Sequence, residues 1–196
     1  MHPQVENYEH LGDVQTYSAD LHERYKQIIE TRRIFLEAKD ADAVFIQEYD
    51  APPAVVWDWW NNPVNRNEWD TQHHNVWRMG GRAAGGRTGV GARNHCAHGD
   101  RPGESLEEIT DWRPFDYMSC VGIEGNLRMP ETVIFEPIDD GRRTRVYDHI
   151  NMEIPLPKFL RRLVVRPLFE IMAKYTKMLQ HSSDLLNQRL AEKENA

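Results

Sequence analysis

The segment Ala51-Pro-Pro-Ala-Val-Val-Trp-Asp-Trp-Trp-Asn-Asn-Pro-Val-Asn-Arg-Asn-Glu-Trp69 decides the fold, because it follows a short apolar run, Ala43-Val-Phe-Ile46, and holds four of the six tryptophans. Pro52 and Pro53 can begin a helix, since a proline at the first helical position gives up only an N–H group that has no partner there. The apolar residues then share one helical face: Val55, Val56, Trp59 and Trp60. Asn62-Pro63 ends this helix, and a second short helix ends at Trp69. The segment predicts a strand followed by two short, aromatic-rich helices.

Short strand patterns separated by turn residues surround this segment. The turns contain glycine, proline and aspartate, as in Gly99-Asp100-Arg101-Pro102-Gly103 and Asp139-Asp140-Gly141. Regular spacing of short strands predicts one antiparallel sheet rather than parallel strands joined by crossover helices. The candidate strands are 42–50, 72–79, 88–98, 104–113, 115–124, 130–137 and 143–153.

A long C-terminal helix is predicted over 158–192, where apolar residues recur at intervals of three and four. Pro167 interrupts this pattern. It either kinks the helix or leaves 158–165 as a separate turn, and we favour a main helix that begins near Arg166.

Residues 1–40 are predicted to be an N-terminal helical extension of the domain at 41–196. Asp20 and Glu23 have the spacing of a capping box, and apolar residues at helical spacing predict an amphipathic helix from about 20 to 37. Its apolar face needs a partner, which is the main domain, a second copy of the chain, or another protein.

Composition limits the function classes. The chain has 196 residues, which is long enough for one domain with a substantial core. Its net charge of −7 disfavours nucleic-acid binding, because that binding needs a basic surface. It contains no apolar run of membrane-spanning length and no pattern of a signal peptide. Cys96 and Cys120 are expected to be free thiols, so we expect a cytoplasmic location.

Several segments in this order resemble the START-related SRPBCC superfamily, which contains polyketide cyclase/dehydrase-like proteins with a helix-grip fold. They are the helix from Ala51 to Asp58, Asn62-Pro63-x-x-Arg66 with Trp69, Phe135-Glu136-Pro137 followed by Asp-Asp-Gly, and the terminal helix. The resemblance implies an α+β fold in which a curved antiparallel sheet of about seven strands grips a long C-terminal helix. Members of the superfamily enclose a cavity for an apolar ligand between sheet and helix.

A narrower resemblance concerns a bacterial group in which such a domain follows a nucleotide-cyclase-like domain. It is carried by Tyr8-Glu-His-Leu-Gly-Asp-Val14, Asp20-Leu-His-Glu-Arg24, Asn94-His-Cys-Ala-His-Gly99 and Asp111-Trp-Arg-Pro-Phe-Asp-Tyr117. The chain shows no cyclase catalytic segment. The resemblance implies that the chain is either a stand-alone relative or the C-terminal part of a longer protein, with the N-terminal helix as the former connector. A homodimer or a cyclase-like partner is a separate expectation for the regulatory alternative.

Candidate ligand-binding residues are the polar side chains inside predicted strands, the aromatic residues near the turn at Pro114, and two residues of the terminal helix. The sequence leaves open whether the strand residues face the cavity or solvent, and whether the aromatic pair lines the cavity or packs a corner. An amphipathic aromatic ring supplies both apolar area and a hydrogen bond, which suits a ligand pocket. The candidates are Arg93, His95, Glu108, Trp112, Tyr117, Arg145, Tyr147, His149, Met172 and Tyr175.

Metal and cofactor sites are not expected. His95-Cys96-Ala97-His98 contains good zinc ligands, but His95 and His98 of a regular strand point to opposite faces. The glycines from Gly80 to Gly91 lack the Gly-Lys-Ser/Thr of a phosphate-binding loop and are expected to form a hairpin or turn. A basic segment allows peripheral membrane contact, partner contact or simple solvation, through Lys158, Arg161, Arg162 and Arg166.

These observations favour non-covalent binding of a hydrophobic or amphipathic small molecule, for carriage or sensing. The first alternative is a polyketide cyclase/dehydratase-like enzyme that uses acid–base residues in the same cavity. The second is a regulatory module that acts through partner contacts of residues 1–40 and 158–166.

Overall fold

A computed structural model describes residues 34–71, 74–79, 89–97, 104–125, 127–153, 156–157, 160 and 166–194. Phe35–Ala196 forms one compact unit. Three predicted features lie outside the described residues: the helix over most of 20–37, the glycine-rich hairpin at 80–88, and the basic side chains of Lys158, Arg161, Arg162 and Arg166.

The described residues form one sheet of seven antiparallel strands, in the order β1-β7-β6-β5-β4-β3-β2. This arrangement confirms the predicted α+β fold and strand count. The strands are β1 (Ala43–Tyr49), β2 (His74–Met79), β3 (Arg93–Ala97), β4 (Glu104–Arg113), β5 (Tyr117–Glu124), β6 (Leu127–Ile138) and β7 (Arg143–Ile150).

Strand β6 begins at Leu127, three residues earlier than predicted, and therefore contains Pro130. The carbonyl of Pro130 accepts a hydrogen bond from the Asn151 N–H, just past the end of β7. Both backbone groups of a strand residue point to the same side, so the missing N–H of Pro130 faces Asn151, one residue past the end of β7. The pairing resumes between Arg128 and Glu153, so Pro130 removes one hydrogen bond without ending the strand.

The two short helices form as predicted: α1 spans Pro53–Asn61 and α2 spans Pro63–Trp69. The Asn62 side chain accepts a hydrogen bond from the Val64 N–H and so caps α2. Trp69 is fully buried, its ring lies 5.2 Å from that of Trp60, and its indole N–H donates to the Trp59 carbonyl. The two helices are thus fixed to each other through their tryptophans.

The long helix α3 spans Arg166–Glu194, which confirms the preferred start near Arg166. Ser182 on α3 is completely buried, and its Oγ accepts hydrogen bonds from the Trp59 indole at 2.9 Å and the Tyr49 hydroxyl at 3.2 Å. The Trp60 indole in turn donates to the Tyr49 hydroxyl at 3.1 Å. This network attaches the middle of α3 to both β1 and α1.

The sheet has an inner face toward α3 and an outer face away from it. Phe45 of β1 marks the inner face, because its ring packs 4.7 Å from that of Tyr175 on α3. Cross-strand partners share a face, so the register of each strand assigns its residues to one side. On the outer face, Phe35 packs edge-on against Tyr117, and the Leu36 N–H donates to Thr132.

Candidate functional site

Three carboxyl groups lie on the inner face of the sheet: Glu107 of β4, Glu131 of β6 and Asp148 of β7. We call them the inner acid cluster. Asp148 of β7 lies opposite Phe45 of β1 and Val133 of β6, and Glu131 of β6 lies opposite Cys120 of β5. These pairings put both carboxyl groups on the face of the sheet toward α3. Asp148 is completely buried, and Glu107 is 7% exposed. Burying several carboxyl groups costs free energy unless each is paired or protonated.

Asp148 and Glu131 act as a pair. The Tyr175 hydroxyl on α3 donates to Asp148 Oδ2 at 2.6 Å, and the Glu131 carboxyl shares a hydrogen bond with Asp148. The Cys120 thiol lies 3.8 Å from Glu131 Oε2. Helix and sheet therefore meet through a phenol, two carboxyl groups and a thiol.

Burial changes the protonation of this pair. Burial first, and then the neighbouring charges of Asp148 and Glu107, raise the pKa of Glu131 well above its usual value. Burial also raises the pKa of Asp148 to about 7, although the hydrogen bonds from Tyr175 and Glu131 and the charge of Arg66 oppose the change. The hydrogen bond raises the pKa of Glu131 and lowers that of Asp148, so Glu131 is the donor and Asp148 the acceptor within the pair.

Arg66 of α2 neutralises the other end of the cluster. Its Nη1 donates to Glu107 Oε2 at 2.8 Å, and its Nε donates to Asp70 Oδ2 at 3.1 Å. The Asn94 amide nitrogen of β3 also donates to Glu107. Two carboxylates thus occupy one guanidinium in a nearly buried site.

Two buried acceptors in this region receive no hydrogen bond from any described N–H or O–H group. They are Asp148 Oδ1 and Asn94 Oδ1. Buried acceptors in folded proteins are rarely left without a donor, so each calls for a proton, a water or a ligand. For Asp148 Oδ1, the neighbouring Glu131 carboxyl is one source of that proton.

Three of the residues predicted to bind ligand lie on the inner side: Trp112, Met172 and Tyr175. Trp112 packs 4.8 Å from the ring of Trp57, and Met172 packs against the core. Tyr175 contacts the inner acid cluster directly. The turn at 114–116, between β4 and β5, lies where the sequence predicts it.

The other seven lie on the outer face, so the inward orientation considered for the strand residues is corrected. Arg145 donates to Glu48, and Tyr147 donates to Glu136, both across outer-face pairs. The reason is the alternation of each strand, which turns the neighbouring Val146 and Asp148 toward α3. These seven residues are Arg93, His95, Glu108, Tyr117, Arg145, Tyr147 and His149. Contact between them and a ligand stays a prediction, now for the outer face of the sheet.

Tyr147 and His149 instead border a surface depression of about 500 Å³ on the outer face. The His149 Nδ1 atom lies 2.8 Å from the Leu36 carbonyl oxygen, so the chain preceding β1 already contacts this side of the sheet.

The inner acid cluster was missed in the sequence, although a signal for it exists. In β7 the alternate residues Thr144, Val146 and Ile150 are the less polar set, and Asp148 belongs to that set. Glu131 is likewise in phase with Val133 and Phe135. An acidic residue in phase with the apolar face of a strand predicts a buried carboxyl group.

Other chemistry in the described chain is limited. No group of His, Cys, Asp or Glu in the described part of the chain is arranged to hold a metal ion. Cys120 is a free, buried thiol whose pKa is raised well above normal by burial, as expected of a packed cysteine rather than a nucleophile. None of the described helices is long and apolar enough to cross a membrane.

A sequence profile for the family described as polyketide cyclase / dehydrase and lipid transport matches residues 45–181. The chain belongs to this family. The match covers both short helices, all seven strands except the start of β1, and the first half of α3, so the polyketide cyclase/dehydrase family accounts for every element around the inner acid cluster. A comparison with curated proteins finds no match.

Solved structures share the fold. TTHA0849 from Thermus thermophilus is 17% identical with a TM-score of 0.56, over 75% of this chain and 97% of that one. SA2116 from Staphylococcus aureus, a protein of unknown function, is 10% identical with a TM-score of 0.57, over 76% and 96%. DynU16, a putative protein in the dynemicin biosynthetic locus, is 14% identical with a TM-score of 0.51, over 74% of this chain and 46% of that one. These likenesses confirm the helix-grip fold predicted for this member of the polyketide cyclase/dehydrase family. The resemblance to domains that follow nucleotide cyclases stays a prediction.

The protonated carboxyl pair makes stability depend on pH. Because the native pKa of Asp148 is about 7 and that of Glu131 is also raised, the native state holds protons that the unfolded chain releases near pH 4. The free energy of unfolding should therefore fall from about pH 4 to beyond pH 7, by roughly 1.4 kcal/mol per pH unit for each retained proton. Glu131→Gln keeps a hydrogen-bond donor for Asp148, and should flatten this slope.

Urea unfolding at pH 5, 6.5 and 8 measures the free energy of unfolding of wild type and variant. Subtracting one from the other removes the contribution of the other titrating groups, which both proteins share. Glu136→Gln, an exposed change on the same strand, serves as the control and should keep the wild-type slope. An equal slope in Glu131→Gln and wild type would contradict a protonated Glu131.

Proposed function

We propose that this protein binds an amphipathic small molecule between the inner face of the sheet and α3. The polar end of the ligand lies at Glu131, Asp148 and Tyr175. The observation that carries the proposal is Asp148, a completely buried carboxyl group that receives the Tyr175 hydroxyl at Oδ2, while the Glu131 carboxyl is the remaining described group that can donate to Oδ1. A convergent polar group within an apolar enclosure is the usual composition of a small-molecule site.

The apolar part of the ligand has a suitable surface beside this group. Ile109, Met118 and Val133 are inner-face residues of three adjacent strands, and Phe45 covers Tyr175 from β1. All four are largely or fully buried. Burying apolar ligand surface contributes about 25 cal/mol per Å² before the costs of ordering. The family's lipid-transport members are consistent with this kind of contact.

Gly122 offers a way to test the location of the ligand. It pairs with Glu107 and with Met129, so it lies on the inner face next to the acid cluster. A Cβ atom added there would meet Met129 at 3.4 Å, an ordinary contact within the sheet. Gly122→Val therefore extends a branched side chain from the inner face toward α3 without any change of charge.

We expect native mass spectrometry of the purified protein to show a bound molecule that organic extraction releases. Gly122→Val should lower the bound fraction roughly tenfold or more, because a filled site excludes the ligand. Val121→Ile on the outer face is the matched control and should leave binding unchanged. A wild-type protein that carries no ligand and takes up no member of a fatty-acid, alkanol, alkylamine and polyketide panel would contradict the proposal.

A proton-transfer enzyme is the second candidate, because the pair combines a protonated Glu131 with an Asp148 whose pKa is about 7. Asp148 would accept a proton from bound substrate and Glu131 would donate one, as in a cyclisation or dehydration. His95 and Tyr147, two of the polar strand residues predicted to bind ligand, lie on the outer face and away from this pair. Glu131→Gln that keeps ligand affinity but abolishes turnover of a bound polyketide would support the enzyme.

A further inference from the structure

We infer that the head group received by this site donates hydrogen bonds and carries no negative charge: it is a hydroxyl or an amine, and not a carboxylate. The inference rests on the proposed function and narrows it to a ligand class. It excludes free fatty acids as ligands bound with their head group inward.

The charges of the site disfavour a negatively charged head group. The inner acid cluster and Asp70 supply four carboxyl groups, and Arg66 is the cation that stabilises them. Both Asp70 and Glu107 already engage the Arg66 guanidinium. Among the described residues, with one proton held by Glu131, three of these carboxyl groups are negative and Arg66 is the positive charge beside them. A ligand carboxylate would add a further negative charge in a buried place where such charges repel strongly.

The hydrogen-bond acceptors of the site favour a head group that donates hydrogen bonds. Asp148 Oδ1 and Asn94 Oδ1 are buried acceptors without a donor among the described N–H and O–H groups. The orientation of the Asn94 amide is set by Glu107, since its nitrogen must face that carboxylate. Asn94 lies on β3 and Asp148 on β7, with three strands between them, so the head group is assigned to Asp148 Oδ1, where it would take the place of the Glu131 carboxyl. A carboxylate has no donor to offer, whereas a hydroxyl offers one and an ammonium group three.

The head group would lie where α3 meets the inner face of the sheet. Asp148 lies on β7, the second strand from one edge of the sheet, Glu131 lies on the neighbouring β6, and Tyr175 of α3 donates to the other oxygen of Asp148. A head group that donates to Asp148 Oδ1 would replace the proton shared with Glu131. The apolar residues on the inner face, Met118 and Ile109 among them, then contact the alkyl or ring portion.

Three probes of equal chain length separate the possibilities: 1-decanol, decylamine and decanoate. Displacement of a fluorescent apolar probe from the intact protein at pH 7.5 gives their dissociation constants. We expect decanol or decylamine to bind roughly tenfold or more tightly than decanoate, the difference associated with one charge-assisted hydrogen bond.

Asp148→Asn tests the assignment, because the asparagine amide supplies a donor where the carboxylate lacked one. Its preference for the donor probes over decanoate should fall about tenfold, whereas Glu131→Gln keeps a neutral donor beside Asp148 and should leave the preference unchanged. Glu192→Gln, an exposed change near the end of α3, removes one negative charge from the surface and should leave the preference unchanged. Thermal melts verify that each variant is folded.

The outcomes are distinct. Decanoate binding as tightly as decanol and decylamine would overturn the inference and leave the proposed function standing. A preference retained in Asp148→Asn, or lost in Glu192→Gln, would overturn the assignment to the inner acid cluster. If neither the three probes nor the fluorescent probe binds, the proposed function fails and the inference fails with it.

Discussion

Trp69→Ala should lower the free energy of unfolding by about 3–5 kcal/mol, the usual cost of deleting a large aromatic side chain from a core. Trp69 is 2% exposed and packs against Trp60. Its indole N–H also donates to the Trp59 carbonyl, so the alanine variant leaves both a cavity and an acceptor without its donor. Because Trp59 holds Ser182 of α3, the loss should extend to the attachment of the long helix.

Urea unfolding followed by tryptophan fluorescence and by far-ultraviolet circular dichroism measures this loss. Val64→Ala, on the same short helix but 70% exposed, is the matched control and should change stability by less than about 0.5 kcal/mol. A Trp69→Ala protein within about 1 kcal/mol of wild type would show that the two short helices are not part of the main core.

Arg66→Met should have a comparable effect, about 3–5 kcal/mol, for an electrostatic reason. Arg66 is 17% exposed at its side chain and donates to Glu107 and Asp70, whose side chains are 9% and 1% exposed. Methionine keeps much of the volume but removes the charge and the donors. Two nearly buried carboxylates would then lose their cation, which is more costly than replacing the whole pair with neutral groups.

A double variant gives the decisive comparison. Arg66→Met with Glu107→Gln should recover a large part of the stability lost in Arg66→Met, because one of the two orphaned charges is removed. Arg128→Met is the control, since Arg128 makes an exposed pair with Glu153 and should cost less than about 1 kcal/mol. If Arg66→Met and Arg128→Met were equally mild, the inner acid cluster would not depend on Arg66.

The fold followed from local patterns that are strong in this sequence. The tight turns place the strands, and the proline at the start of each helix fixes where α1, α2 and α3 begin. Strand β6 was predicted to begin at 130. The structure continues it back to Leu127, because β5 pairs with this part of β6 as far as Glu124 opposite Leu127.

The inner acid cluster was not predicted from the sequence, because the more conspicuous polar residues were chosen as site candidates. Arg145, Tyr147 and His149 stand out in β7, yet they occupy the outer face, where charge and hydroxyl groups meet partners such as Glu48 and Glu136. Asp148 is a single acidic residue among apolar neighbours in phase. Its importance depends on contacts with Glu131 and Tyr175, which are 17 and 27 residues away and meet only in the folded sheet.

The place of β1 in the sheet has a consequence for synthesis on the ribosome. β1 lies at the edge of the sheet and pairs with β7, so that Phe45 lies opposite Asp148, more than 100 residues later. At about 5–20 residues per second, β1 leaves the ribosome roughly 5–20 s before its partner has been made. During that interval a nascent strand with an apolar face has nothing of its own chain to pair with, which makes it a natural binding site for a chaperone.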